Sequence, residues 1–413
     1  MMKIRLLLVL MIFPVFLWAQ EKMLAPTPPM GWNSWNMFEG DINEEIVKEI
    51  ADAFVTTGLK DAGYQYIIID DMWQGEGRDE NGNIYPDPKK FPSGMKALAD
   101  YVHSKGLKFG IYSDAADKTC AGYTGSYGYE QKDAETFAGW GVDYLKYDYC
   151  HAPHKKKIAI KRYSAMSKAL RNTGRDMVFA ICEWGQLDPW EWGKKAGGQL
   201  WRTTWDSRDI WEAKRYGGST AGILNILDKQ VGLEKYAGPN GWNDPDLLMV
   251  GLYGKGKSSG KVGCTDTEYK SHFSLWCMLA APLIVNLDVR KMNEATKEIL
   301  LNKDMIAIDQ DSLGKQGVRI IDYNGFNVYL KALANDEWAV LFLNRNDESE
   351  KIHFDWQKMR LNGKASAKNV RLNGDYTLYD VWLHKTVGTT RQTLEKEIQS
   401  HDVLVYRLKK AVK

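Results

Sequence analysis

Between residues 26 and 290 two patterns of apolar and polar positions alternate along the chain. Short apolar or β-branched runs ending in polar residues occupy Met30–Trp35, Tyr64–Asp71, Lys108–Asp114, Tyr144–Cys150, Val178–Trp184, Leu200–Asp206, Asp246–Val250 and Pro282–Asp288. Runs of this kind read as strands. Between them, Glu44–Thr57, Met95–Lys105, Tyr129–Trp140, Lys161–Asn172 and Thr267–Leu279 place apolar residues at three- and four-residue steps, as amphipathic helices do. Strands alternating with helices eight times predict an α/β fold, a (β/α)8 TIM barrel, whose chemistry collects at the C-terminal ends of the strands.

The polar ends of those runs carry the functional signal. In Tyr144-Leu-Lys-Tyr-Asp-Tyr-Cys150, the residues Lys146, Asp148 and Cys150 alternate, so a strand would turn all three to one face. Charges there are rarely buried unless paired or functional. An internal salt bridge would account for one such strand. Trp35, Asp70 and Asp71, Asp114, Glu183, and Arg202 with Asp206 repeat the pattern at the same end of other strands. Asp206 alone could be a helix N-cap before Ser207-Arg-Asp-Ile; the recurrence predicts a site.

After about Gln316 the pattern changes. Val318–Ile321, Asn327–Lys331, Glu337–Asn344, Asp375–Trp382 and Val403–Leu408 are short strands separated by turn residues. With no helical period between them, they predict an appended antiparallel β-sandwich. At the other end, Met1-Met-Lys-Ile-Arg precedes an apolar run from Leu6 to Trp18, then Ala19 and polar residues, the form of a cleaved signal peptide. The run is shorter than the roughly 20 residues of a membrane span. The expected organisation is a signal peptide over 1–19, a barrel over 20–315 and a sandwich over 316–413. The mature chain is expected to be exported, to the periplasm or beyond the cell.

Composition narrows the classes. The net charge of +2 is small and well mixed, with no basic stripe for nucleic acid and no polybasic membrane patch. Sixteen Trp and 21 Tyr suit both a large core and the stacking of sugar rings. Five cysteines in an exported chain permit disulfides and leave at least one thiol unpaired. Several carboxylates with one Lys and one Arg, lined by aromatics, fit three chemistries. These are glycoside hydrolysis by a carboxylate pair, a divalent-cation site, and sugar binding without catalysis. Lys146 and Arg202 in the same ring weigh against a cation, and no His-rich ligand spacing occurs.

The motifs themselves resemble a known family. Pro29-Met-Gly-Trp-Asn-Ser-Trp35, Ile69-Asp-Asp-Met-Trp73, Gly110-Ile-Tyr-Ser-Asp114, Lys118-Thr-Cys-Ala-Gly122, Thr136–Asp143, Leu145–Asp148, Cys182-Glu-Trp184, Trp201-Arg202 with Asp206, and Gly241–Asp246 are similar to the clan D α-galactosidase (melibiase) family, glycoside hydrolase family twenty-seven. The resemblance implies a retaining double displacement with Asp148 as nucleophile and Asp206 as acid/base. It implies that Asp70 and Asp71 bind the 4- and 6-hydroxyls of galactose and Lys146 the 3- and 4-hydroxyls. Arg202, Cys182, Glu183 and Trp184 would face the 2- and 3-hydroxyls, and Trp35 and Tyr112 would wall the ring. It also implies a Cys120–Cys150 disulfide, a free Cys182 beside the sugar, no metal or organic cofactor, and an α-galactoside oligo- or polysaccharide as the binding partner. Asp114 and Asp246 are expected to be structural, and Cys264 and Cys277 receive no role. Lys146 should keep Asp148 ionised, and Trp201 and Trp205 should raise Asp206 so that it can carry a proton. The alternatives within the family are a β-L-arabinopyranosidase and an α-N-acetylgalactosaminidase. The stretch after Trp184, Gly-Gln-Leu-Asp-Pro-Trp190, departs from the animal members and leaves the outer subsites open.

Overall fold

The computed structural model describes residues 23–217, 221–258, 261–366, 368 and 370–410. The expected signal peptide lies outside the described residues. Eight parallel strands form one sheet: β1 Met30–Asn33, β2 Tyr66–Ile68, β3 Lys108–Asp114, β4 Tyr144–Asp148, β5 Val178–Ile181, β6 Leu200–Arg202, β7 Trp242–Asp244 and β8 Leu283–Val285. Their order is β7-β6-β5-β4-β3-β2-β1-β8. The circle closes where Leu248 bridges to Val285 and its N–H donates to the Ile284 carbonyl at 2.9 Å. This is the (β/α)8 barrel that the alternating pattern predicts.

One strand lies elsewhere than its apolar run predicts. The seventh is at Trp242–Asp244, not at Asp246–Val250. Pro245 has no N–H for a ladder, and Asp246 has a left-handed φ of +82°, so the chain turns out of the sheet there. The apolar run Leu248–Val250 is buried just beyond that strand, where Leu248 makes a single bridge to Val285. The fourth strand likewise stops at Asp148, so Cys150 sits on the rim and not on the interior strand face.

The period of two along each strand builds the barrel in layers. Tyr66, Tyr144, Val178, Ala180, Leu200, Trp242 and Ile284 fill the lower barrel as one apolar plug. Two residues further along β4 and β6, the same inward faces carry Lys146 and Arg202. An apolar floor thus changes to a charged mouth within one strand repeat. Close approach of β1 and β2 needs Gly31, since a Cβ there would lie 2.4 Å from the Tyr66 carbonyl oxygen. The outer faces pack under helices such as Glu44–Thr56, capped by Asn43, and Asp266–Leu279, whose Thr265 and Glu268 form a capping box.

The C-terminal strands form two antiparallel sheets. The larger contains β9 Val318–Tyr323, β10 Phe326–Ala332, β11 Trp338–Asn344, β15 Tyr376–Asp380, β16 Lys385–Thr389 and β18 Val403–Lys410. The smaller contains β12 Glu350–Asp355, β13 Arg360–Leu361, β14 Lys364–Ala365 and β17 Leu394–Ile398. Between them Phe342, Phe354, Trp356 and Tyr406 meet edge to face. The sandwich docks through β10, β11 and β18 onto the helix Asp266–Leu279. Asp228 of the barrel receives Arg319 at 2.6 Å and Arg345 at 2.9 Å.

Candidate active site

The strand ends surround a pocket of about 230 Å³, the scale of one monosaccharide. Its lining includes Trp35, Asp70, Asp71, Tyr112, Cys120, Lys146, Asp148, Cys150, Trp184, Arg202 and Asp206. Two of the predicted residues are not on the lining. Cys182 lies just beneath it, with its sulfur 3.6 Å from Arg202 Nη1. Glu183 is buried and turned back into its own loop, where it accepts the Leu187 N–H at 2.7 Å. Burial pushes its carboxyl up to about 8. The structure therefore makes Glu183 a loop brace, because Gly185 presses this loop against Thr203 so closely that a Cβ would lie 2.1 Å from its carbonyl oxygen. Trp184, held at φ +59°, is the residue of the trio that faces the pocket.

The β2 end is fixed by a dense hydrogen-bond set. Asp70 Oδ2 accepts Lys146 Nζ at 2.7 Å and Asn33 Nδ2 at 2.6 Å. Its own N–H donates to Ser34 Oγ at 3.0 Å. Asp71 Oδ2 accepts the Ala121 N–H at 2.8 Å, which ties β2 to the loop bearing Cys120. Burial raises the Asp71 carboxyl. Cys120 and Cys150 form a disulfide with Cα atoms 5.0 Å apart, joining the β3 and β4 loops beside Asp148. Tyr112 donates to Cys120 Sγ at 3.3 Å.

The two carboxylates expected to do the chemistry sit in different surroundings. Asp148 is buried at the end of β4. Burial raises it, Lys146 opposes that, and the charge of Asp206 adds to it, leaving Asp148 at about 7. The side chain of Asp206 is 42% exposed and lies 2.9 Å from Arg202 Nη2. Burial would raise it, but Arg202 and Lys146 outweigh burial and hold it below the usual carboxylate range. This corrects the expectation for Asp206. Trp201, one of the two neighbours counted on to raise it, points outward and donates from Nε1 to Asn243 Oδ1 at 2.8 Å. The other, Trp205, stacks on Trp184 with centroids 5.9 Å apart and does line the pocket. The charge of Asp206 raises Asp148, so the protonation of one carboxylate bears on that of the other.

Asp246, expected to be structural, also lines the pocket. Its Oδ1 lies 3.0 Å from Arg202 Nη1, and its Oδ2 accepts both the N–H and the hydroxyl of Ser207. Arg202 is clamped between Asp206 and Asp246. Sequence reasoning also missed Asn36 and Leu247 on the lining. Asn36 directly follows the Pro29–Trp35 motif, so adjacency was an available signal; Leu247, within an assumed strand, offered none. Asp114 is fully buried and accepts the N–H groups of Ala116 and Cys150 at 2.8 and 2.9 Å. Burial and the charge of Asp148 push it up to about 9.

A cation site is poorly served here. Among the described residues, Asp114, Cys120, Asp148 and Cys150 bring donor atoms within 4.8 Å of one another. The two sulfurs are bonded to each other and offer no thiolate. Both Asp114 oxygens already accept backbone N–H groups. No helix among the described residues is long and apolar enough to cross a membrane.

Known proteins match this architecture along its length. The family model described as Alpha galactosidase A matches residues 27–311, and that of the Alpha galactosidase C-terminal beta sandwich domain matches 323–408. Alpha-galactosidase A of Cellvibrio japonicus is 46% identical over 390 residues, covering 94% of this chain and 93% of that protein. The alpha-galactosidase of Cyamopsis tetragonoloba is 44% identical, covering 94% and 87%. Among solved structures, alpha-galactosidase I from Mortierella vinacea superposes with a TM-score of 0.87 at 35% identity, covering 95% and 99%. The Saccharomyces cerevisiae α-galactosidase solved with raffinose gives 0.83 at 30%, covering 94% and 98%. A family-27 β-L-arabinopyranosidase from Geobacillus stearothermophilus, at 22% identity and a TM-score of 0.78, shares the fold. With both domain models matched in order and relatives at this identity over nearly its whole length, the chain belongs to the melibiase family of α-galactosidases, glycoside hydrolase family twenty-seven.

Proposed function

We propose that this protein is a retaining exo-α-galactosidase that removes terminal α-D-galactosyl residues from oligo- or polysaccharides. The observation that carries this reading is the pair Asp148 and Asp206 in one monosaccharide-sized pocket, with Asp148 on its floor and Asp206 at its open side. Asp148 attacks the anomeric carbon as the glycosidic bond breaks, giving a covalent galactosyl ester. Asp206 delivers a proton to the departing oxygen and later takes one from the water that cleaves the ester. Without a sugar, burial and the charge of Asp206 favour the proton on Asp148, and Arg202 favours the ionised form of Asp206. The reactive arrangement is the opposite one. A bound sugar displaces water from around Asp206, and the lone pair of the leaving oxygen draws the shared proton towards it.

Asp70, Asp71 and Lys146 act as a hydrogen-bonding arc for the 3-, 4- and 6-hydroxyls. Arg202 and the Cys182 sulfur serve the 2-position from below, and Trp35, Tyr112 and Trp184 wall the ring. The depth of the pocket supports an exo action on chain ends. A galactosyl-sucrose such as raffinose is a fitting natural substrate by analogy with the yeast relative. The same reading has residues 1–19 removed on export, with the mature chain divided between barrel and sandwich near residue 315.

The test is a panel of nitrophenyl glycosides, with NMR of the first-formed anomer. An α-galactosidase releases α-galactose first, and it prefers the α-galactoside to the β-L-arabinopyranoside by at least about tenfold in kcat/KM. The preference arises because a site built for the hydroxymethyl arm is left with unpaired polar groups when the arm is absent. First release of β-galactose, or preference for the arabinopyranoside or the α-N-acetylgalactosaminide, would overturn the proposal.

A further inference from the structure

Three residues beyond Asp206 the chain carries another aspartate, which the double displacement leaves unused. Asp209 is fully buried, and a carboxylate so placed persists only if its oxygens are satisfied. Its Oδ2 accepts the Gly254 N–H at 2.7 Å and its Oδ1 the Cys264 N–H at 3.1 Å. The Tyr269 hydroxyl lies 2.8 and 2.9 Å from the two oxygens. The Gly263 N–H donates to the carbonyl oxygen of Asp209 at 3.1 Å.

These donors share an origin. Gly254 and Gly263–Cys264 are the two ends of one excursion of chain that follows β7, and Tyr269 lies in the helix after it. Both neck glycines have left-handed φ, +69° and +79°, and a Cβ on Gly263 would lie 2.6 Å from the Gly254 nitrogen. The neck is closed around a single carboxylate. The far part of the excursion reaches back to the pocket rim. The Ser258 N–H donates to the Asn36 carbonyl at 3.2 Å, the Ser258 hydroxyl engages Glu39, and Lys257 pairs with Asp41. Asn36 lines the sugar pocket beside Trp35. On the other side of Asp206, Ser207 is pinned by Asp246 at 2.7 Å.

We propose that Asp209 is a positioning residue that locks the segment carrying Asp206 to the neck formed by Gly254, Gly263 and Cys264 and so sets the aim of the acid/base at the leaving-group oxygen. The proposal rests on the α-galactosidase reading. The galactose ring is gripped mainly by Asp70, Asp71 and Lys146 on β2 and β4, on the far arc of the barrel from this lock. Loosening the lock therefore harms proton delivery more than ring recognition. Asp209→Asn keeps the size of the side chain. Its amide nitrogen cannot accept, so one of the two backbone N–H contacts at the neck is lost.

The experiment uses the full enzyme and measures kcat and KM on nitrophenyl α-galactoside and on raffinose, with galactose as a competitive inhibitor. The expected result for Asp209→Asn is a kcat/KM loss on raffinose at least about tenfold larger than on the nitrophenyl substrate, since nitrophenolate departs with little proton donation. The loss falls in kcat, and galactose inhibition changes by less than about twofold. Tyr269→Phe, which removes one donor and leaves the carboxylate in place, shows the same order at smaller size and decides the matter if Asp209→Asn does not fold. Equal losses on both substrates, or weakened galactose inhibition in parallel with them, would overturn the proposal and leave Asp209 a stability residue. A wild-type enzyme inactive on both substrates removes the α-galactosidase reading itself, which the variants alone cannot do.

Discussion

Lys146, partly buried at the mouth of the barrel, and Lys331, buried beneath the sandwich, are held in opposite ways by their surroundings. Lys146 lies 2.7 Å from Asp70 and over the ring of Tyr112. Burial works against its ammonium, yet Asp70 and Asp148 prevail and raise it well above the ordinary lysine value. Lys331 donates to the Cys277 carbonyl at 2.8 Å. There burial prevails over the pull of Asp309 and brings the lysine down to about 8. Asp309 is itself pushed up to about 8 by burial, and one of its oxygens has no hydrogen-bond partner among the described residues. The difference is the number and closeness of opposite charges. A unit pair about 4 Å apart gains about 4 kcal/mol at an effective dielectric near 20, against several kcal/mol of desolvation for each ion. One contacting carboxylate with a second nearby holds the Lys146 ammonium more firmly than an ordinary lysine's; around Lys331 the pull of Asp309 and Asp311 only partly offsets burial, and its ammonium is held more weakly. The charge held more firmly than usual marks the site, and the one that burial weakens marks packing.

The strongest break in this contrast is to remove a carboxylate from each place. Asp148→Gly should lower α-galactosidase turnover by at least about 10⁴-fold. Azide should restore turnover of the nitrophenyl substrate and yield β-galactosyl azide, because a small anion fills the vacated position. Asp309→Asn should leave kcat/KM within about threefold, since a neutral carboxyl distant from the pocket contributes no charge there. Near wild-type turnover in Asp148→Gly would move the nucleophile to another strand, and collapse of turnover in Asp309→Asn would erase the distinction between the regions.

The same contrast accounts for how much was legible beforehand. Strand and helix periods survive in any sequence whose faces are buried, so seven of the eight barrel strands fall within or overlap the runs read from the chain. The seventh was misplaced because Leu248–Val250 is apolar for burial just beyond the strand, where only Leu248 bridges to Val285, and period alone cannot distinguish such a run from a strand. Asp148 and Lys146 were legible because a charged face on an apolar strand is too costly to bury unless its charges are paired or put to use. The direction of Glu183 was not, since the turn at Trp184 reverses the alternation and a left-handed residue is invisible to pattern. Nor was the state of Asp206: Trp201 and Trp205 adjoin it in sequence, but only the fold reveals that one points away and that Arg202 reaches back four residues to its carboxylate. Lys331 ends one of the short strands read from the sequence, and nothing in that run signals that its ammonium lies against the Cys277 carbonyl of the barrel.

A milder break exchanges the lysines for an apolar residue of similar length. Lys146→Met leaves Asp70 and Asp148 buried without their cation, so both the hydroxyl grip and the ionised nucleophile suffer. Its kcat/KM should fall by about 10²-fold or more. Lys331→Met removes an ammonium that burial already weakens and should change kcat/KM by less than about threefold, with a shift in Tm of only a few degrees. Steady-state kinetics and thermal melting of the two variants side by side check this. Equal loss of activity in both would mean that the sandwich interface governs the pocket.

The smallest effect concerns the pH profile, where the two regions make opposing claims on the same limb. Burial and the charge of Asp206 raise Asp148 to about 7, while Arg202 keeps Asp206 below the usual carboxylate range. The pair therefore holds one proton over the interval between those values, and kcat/KM requires that one proton. In the wild type kcat/KM should fall as pH rises through about 7, when the pair loses its proton. On the acid side it should fall only below the ordinary carboxylate range, when the pair takes a second. Asp206→Asn alters this in a defined direction. It removes the negative charge that raises Asp148, and on a nitrophenyl substrate the first step then asks only that Asp148 be ionised. The alkaline fall near 7 should vanish, and a single rise with pH should take its place on the acid side of 7. Lys331 and Asp309, each near 8, titrate outside the pocket and should leave no mark on either profile. If the alkaline limb lies near 8, persists in Asp206→Asn and disappears in Lys331→Met, it belongs to the interface, and the single-proton account of Asp148 and Asp206 fails.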